Sequence, residues 1–135
     1  MVLFECKPAD IDRAWRDGAH VLSEATKWAA REITADQLKM LLSRGERTLI
    51  GARDDSGVKG WAAVQVQQLP NIRVLFVYCM AGRGICSPQG FGLLTQYAVA
   101  HGCTSIRGAQ RAAMIRLSQK FGAKVLYSVI EIEVA

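Results

Sequence analysis

The 135 residues carry 17 Lys and Arg against 12 Asp and Glu, a formal net charge of +5, and half of them are hydrophobic. This is the composition of one ordinary globular domain, residues 1–135, long enough to bury roughly two thirds of its unfolded surface in a single core. No apolar run approaches the ~18 residues of a membrane span and no basic segment precedes an apolar block at the N-terminus, so neither an anchor nor a signal peptide is expected.

Residues Val2 to Lys7 alternate with the period of a half-buried strand, and Pro8-Ala9-Asp10 breaks it with Asp10 placed to cap a helix. Ile11, Ala14, Trp15, Gly18, Ala19 and Leu22 then follow at helical spacing. Ala25 to Glu32 reads either as a short helix or as a loop, with Trp28 in the core or as a lid over a pocket. The next helix has a clear start, because Thr34 and Gln37 form a capping box ahead of Leu38, Leu41 and Leu42, and a clear stop at Arg44-Gly45.

The period then changes. Arg47 to Arg53 reads as a strand, Asp54-Asp55-Ser56-Gly57 as a turn, and Val58 to Gln67 as a second strand. Ile72 to Met80, nearly all apolar, is expected at the centre of the sheet, covered on both faces. After a glycine turn, Ser87 is a natural N-cap and Pro88 a natural first helical residue; Phe91, Leu94, Tyr97, Ala98 and His101 carry the helix to Gly102. Thr104 to Arg107 reads as a short strand, Ala109 to Phe121 as a helix and Lys124 to Val134 as a last strand. The fold class is α+β, mixed, with an antiparallel first half and a right-handed strand–helix–strand crossover in the second.

Four cysteines, Cys6, Cys79, Cys86 and Cys103, form no Cys-x-x-Cys pair and have only His20 and His101 to join them, so no metal site is expected. Three sit in or beside apolar stretches, as buried thiols in a reducing cytoplasm do. Cys86 reads either as a small loop residue or as a thiol activated by the helix that follows it. The basic residues are scattered and no nucleic-acid motif is present, which argues against a nucleic-acid partner.

Chemistry concentrates in Gly82-Arg83-Gly84-Ile85-Cys86 and in the helix Ala112 to Ala123. The first can turn successive N–H groups toward an anion at a helix start, or serve only as a turn between strand and helix. Together with the opening Phe4 to Ile11 and the order of elements, these segments resemble the GNAT N-acetyltransferase superfamily over nearly the whole chain. That resemblance implies a central mixed sheet of six to seven strands flanked by about four helices. It also implies acetyl-CoA as cofactor and an amine as acceptor.

By the same resemblance, Gly82, Arg83, Gly84, Ile85 and Cys86 hold the diphosphate, and the backbone of Tyr78, Cys79 and Met80 holds the pantetheine arm. Cys86 stands where the family places glycine or alanine. The glutamate that many relatives carry on the fourth strand is absent from Arg73 to Met80, and Ser118 occupies the position of the usual tyrosine acid, with Tyr78 and Tyr127 as alternatives. The stretch Met114 to Ala123 is also similar to GNAT-like internal virion proteins of short-tailed phages. This implies a second reading, a non-catalytic interaction module with a protein partner, in a virion rather than the cytoplasm, presenting Trp15 or Trp28.

Overall fold

A computed structural model describes residues 1–135. The elements are β1 (Val2–Cys6), α1 (Ile11–Asp17), α2 (Ala35–Ser43), β2 (Thr48–Asp54), β3 (Gly57–Gln68), β4 (Arg73–Ala81), α3 (Pro88–Ala100), β5 (Ser105–Arg107) and α4 (Ala112–Gln119). Two 3-10 stretches, Pro8–Asp10 and Ala19–Trp28, flank α1.

The sheet runs in chain order, β1-β2-β3-β4-β5, antiparallel through β4 and parallel between β4 and β5. It has five strands where six to seven were expected, because residues 123–135 add none. It also centres on β3 rather than β4. Only Val74 and Leu75 of β4 are fully buried, and its far end is half-exposed.

Two cores sit on opposite faces. Ile11, Leu22, Leu38, Leu42, Leu49 and Trp61 form one beneath α1, α2 and the longer 3-10 stretch. Ile50, Val64, Leu75, Ile85, Leu94 and Ala98 form the other beneath α3. Strands β1 to β4 each feed both, since alternate residues point to opposite sides, while β5 reaches only the α3-side core, through Ile106.

Local chemistry explains most boundaries. The Thr34–Gln37 capping box forms in both directions, at 3.2 and 2.9 Å, and fixes the start of α2. Ser87 caps α3 by accepting from the Gly90 N–H at 3.0 Å. Asp10, by contrast, makes no capping bond; the chain reaches α1 through a 3-10 turn, and the Asp10 carboxylate lies 3.7 Å from Arg13 instead. The helix expected from Ile11 through Leu22 stops at Gly18, whose φ of +151° no helix accepts, and continues as a 3-10 stretch. There a spacing of three keeps Ala19 and Leu22 on one buried side. Trp28 is 64% exposed and so lies outside the core, with the Arg111 guanidinium 4.2 Å above its ring. α4 starts at Ala112 rather than Ala109, because Arg111 is extended and no side chain caps the turn before it.

Candidate functional site

The segment after β4 is set by contact with β3. A Cβ on Gly82, at φ +109°, would lie 2.6 Å from Gly60 Cα and 2.7 Å from Lys59 O. One on Gly84 would lie 2.3 Å from Lys59 Cβ. The glycines therefore let the loop lie directly on the start of β3. Ile85, fully buried, anchors the loop in the α3-side core. Gly60 and Gly90 leave room for it, since a Cβ on either would strike Ile85.

Hydrogen bonds decide which amides remain free. The Gly84 N–H donates to Lys59 O at 2.9 Å and the Cys86 N–H to Gly82 O at 3.0 Å. Ser87 Oγ donates to Gly84 O at 2.6 Å, tying the loop to the cap of α3. The N–H groups of Arg83, Ser87 and Gln89 make no hydrogen bond within the chain. They belong to exposed or half-buried residues at the positive end of a 13-residue helix.

Beside them lies an open depression of about 420 Å³ lined by Lys59, Arg83, Gly84, Ser87, Gln89, Asp54 and Met1. Its two cations and free amides suit an anion. Asp54 opposes them: hydrogen bonds from the Ser56 N–H and hydroxyl, at 2.8 and 2.9 Å, hold its carboxyl below the ordinary range and keep it ionised.

The neighbouring strand edge is open as well. β5 pairs with β4 only from Val74 to Phe76, so the edge from Val77 to Ala81 faces no strand on that side. The divergence begins at Gly108, where a Cβ would lie 3.1 Å from Val77 O. On its other side β4 carries a bulge: Val77 pairs with Val64 and Cys79 with Ala63, leaving Tyr78 as the extra residue. The bulge turns Tyr78 and Cys79 toward the α1-side core and Met80 toward the other. This slot of open edge ends at the loop and its depression.

The candidate side chains for proton transfer are placed differently. Ser118 is buried, and its Oγ donates to Gln110 Oε1 at 2.8 Å. Tyr78 is half-buried; its hydroxyl donates to Gln65 Oε1 at 2.7 Å and accepts from Gln67 Nε2 at 3.3 Å, with the Arg47 guanidinium 3.4 Å over its ring. Tyr97 donates to the Glu5 carboxylate, and burial together with that carboxylate pushes its phenol up, so it is a poor acid. Tyr127 is exposed beyond α4. The structure thus sets Tyr78, Cys79, Met80 and the loop along one edge, while Ser118 lies inside α4 and bonds to Gln110, two residues ahead of that helix.

Burial raises the Cys86 thiol, opposite to the lowering expected of an activated one. Cys79, more deeply buried, is raised to about 11 by desolvation. No three of the His, Cys, Asp and Glu side chains come together as a metal-binding set. No helix is long and apolar enough to cross a membrane. Sequence reasoning missed Lys59 and Asp54, which meet the loop only because β3 pairs with the end of β4; the Gly60-to-Gly82 approach that carries this contact has no local sequence signal.

No protein-family model and no curated protein sequence matches the chain. Solved structures do. The chain is similar to a ribosomal-protein-alanine N-acetyltransferase from Brucella melitensis biovar Abortus 2308, with 14% identity, TM-score 0.68, and coverage of 98% of this chain and 99% of that one. It is also similar to a probable acetyltransferase at 10% identity and TM-score 0.68, covering 100% of this chain and 99% of that one. An aminoglycoside acetyltransferase from an uncultured soil metagenomic sample gives 15% identity and TM-score 0.64, covering 98% and 97%. The chain has the GNAT fold of these acetyltransferases.

Proposed function

We propose that the chain binds acetyl-CoA along the open edge of β4 and transfers its acetyl group to an amine. The observation that supports this most is the continuity of the unpaired edge Val77–Ala81 with a loop bearing free N–H groups and two cations. In this reading the backbone of Tyr78, Cys79 and Met80 hydrogen-bonds the pantetheine amides. The segment Gly82, Arg83, Gly84, Ile85 and Cys86 shapes the diphosphate site. Within it Arg83 supplies N–H and charge, Gly84 and Cys86 lock the loop through their own hydrogen bonds, and Ile85 seats it. Lys59, Ser87 and Gln89 complete the site from either side.

Acetyl-CoA, when bound, supplies a thioester acyl donor. The amine nitrogen forms a bond to the carbonyl carbon, the C–S bond breaks, and a proton must leave nitrogen and reach sulfur. Ser118 is the proposed proton source at sulfur, after its hydroxyl turns away from Gln110. A serine hydroxyl is a much weaker acid than a phenol, so turnover is expected to be slow. Arg73 to Met80 offers no carboxylate to take the amine proton, which places that role on solvent.

Melting the protein across a series of acetyl-CoA concentrations tests the binding. At a hundred times its dissociation constant, a ligand specific to the native state adds ~2.7 kcal/mol, several degrees for a chain of this size. A melting temperature unchanged up to millimolar acetyl-CoA overturns the proposal. Free-thiol release with a panel of amines then tests transfer; Ser118→Ala should lower kcat while leaving acetyl-CoA affinity in place.

A second reading, a protein-interaction module without turnover, is favoured by the exposed apolar surface of α4 and the residues after it. Binding without thiol release from any amine would select it.

A further inference from the structure

The face of the sheet turned toward α1 carries two arginines that nothing in the chain neutralises. Arg47, just before β2, and Arg107, which ends β5, are both half-buried. Neither stands in an ion pair, and the guanidinium hydrogen bonds of the chain belong to Arg31 and Arg73. Glu46, the carboxylate nearest to Arg47 in sequence, is occupied by Arg44 at 3.0 Å.

The strand registers bring the two arginines into one row. Thr48 pairs with Val64, Gln65 with Phe76, and Phe76 with Arg107, so Arg47, Gln65, Phe76 and Arg107 follow one another from β2 to β5. Alternation sets the row on the α1 side, because Leu49 belongs to that core while Val64, Leu75 and Ile106 belong to the other. Arg47 leans across the row: its guanidinium lies 3.4 Å over the Tyr78 ring, whose centroid is 4.8 Å from that of Phe76. Gln65 and Gln67 hold the Tyr78 hydroxyl at 2.7 and 3.3 Å, which gives the guanidinium a fixed platform.

This row stands at the far end of the open β4 edge from the loop 82–86, since β5 takes up pairing at Phe76. A cofactor with its diphosphate at the loop and its arm along residues 77–81 ends with its acyl group beside Phe76 and Tyr78. Val77 and the core beneath α3 cover the opposite face there, so an amine reaches the thioester from the α1 side.

We propose, resting on the acetyl-transfer reading, that the acceptor is an amino acid whose carboxylate is gripped by Arg47. Arg107 supplies a second positive charge, which favours amino acids with two carboxylates. A guanidinium lying flat on an aromatic ring keeps its edge N–H donors free, and a carboxylate takes two of them in parallel charge-assisted hydrogen bonds. The row holds no carboxylate to receive a polyamine, which would bring like charges together.

Titration calorimetry of the CoA-saturated protein with N-acetyl-L-glutamate, the product of such a transfer, and with its uncharged diamide reads the charge requirement. The dicarboxylate is expected to bind at least about tenfold more tightly than the diamide. Arg47→Gln should remove that preference and Arg107→Gln should reduce it. Arg47→Lys, which keeps the charge and loses the fork, should fall between Arg47→Gln and the parent. In the thiol-release assay the parent should turn over glutamate in preference to spermidine, and Arg47→Gln should raise KM for glutamate with little change in kcat. The acetyl-CoA melting shift separates this proposal from the reading beneath it, because both arginines lie apart from the loop and their variants should keep that shift. A parent stabilised by acetyl-CoA that binds neither probe, binds both alike, or transfers to spermidine more readily than to glutamate overturns the carboxylate site and leaves acetyl transfer standing. A parent that acetyl-CoA does not stabilise overturns both.

Discussion

Replacing Arg83 and Lys59 with alanine asks whether the depression beside the loop is the diphosphate site. Both residues are exposed and line it. A unit charge at ~4 Å from a phosphate oxygen contributes about 1 kcal/mol at the dielectric of water and about 4 kcal/mol at that of a protein surface. The openness of the depression favours the lower end, near 1.4 kcal/mol, or about tenfold in Kd for each residue. The pair should weaken acetyl-CoA binding about a hundredfold if the two act independently. Both side chains are exposed at the surface, so the melting temperature of the free protein should hold within about 1–2 °C. Asp54→Asn reverses the sign: removing the opposing carboxylate should tighten binding a few fold. Titration calorimetry at low salt reads all three. A double variant that binds acetyl-CoA as tightly as the parent, while the parent binds measurably, refutes the assignment of the depression.

Other expectations concern the scaffold. Gly82→Ala forces a Cβ against Gly60 Cα and Lys59 O at a positive φ and should cost about 2–3 kcal/mol, read as a lower urea midpoint. Thr34→Ala removes the capping bond to Gln37 and should cost about 1 kcal/mol, or roughly 3–4 °C of melting temperature. The Cys79 thiol is raised from 9.0 to about 11, so its contribution is fully present below pH 9 and is lost as pH rises through 11, because the unfolded thiol ionises first. About 2–3 kcal/mol should disappear over that interval, and the parent should lose more stability than Cys79→Ala over the same pH series by about that amount, since Cys6, Cys86 and Tyr97, raised as well, contribute to both.

Where a residue's own neighbours in the chain determine its role, the sequence was enough. Thr34 with Gln37, Ser87 with Pro88, and the glycines that end α2 and α3 are local devices, and each acts where its pattern places it. The loop after β4 was legible as a turn at a helix start, but its glycines proved to serve contact with Lys59 and Gly60, more than twenty residues away. A bulky residue at Gly84 therefore disturbs the fold as well as the site, and Arg83 and Lys59 make the cleaner probes.

Gly18 hid in a helical apolar stripe because a 3-10 stretch with period three places Ala19 and Leu22 almost as an α-helix would. Trp28 looked like core by residue type, yet Arg111, eighty-three positions later, covers one face of its ring in the open. Lys124 to Val134 has strand chemistry without a strand partner in its own sheet, and pairing is a property of two segments that one segment's pattern cannot supply.

The most direct test of the loop as a diphosphate cradle is to follow the backbone amide resonances of the protein during an acetyl-CoA titration. The N–H signals of Arg83, Ser87 and Gln89, free of internal partners, should shift most and saturate together, while those of α1 and α2 stay in place. Shifts that saturate elsewhere on the surface and leave these three amides unmoved would contradict the account.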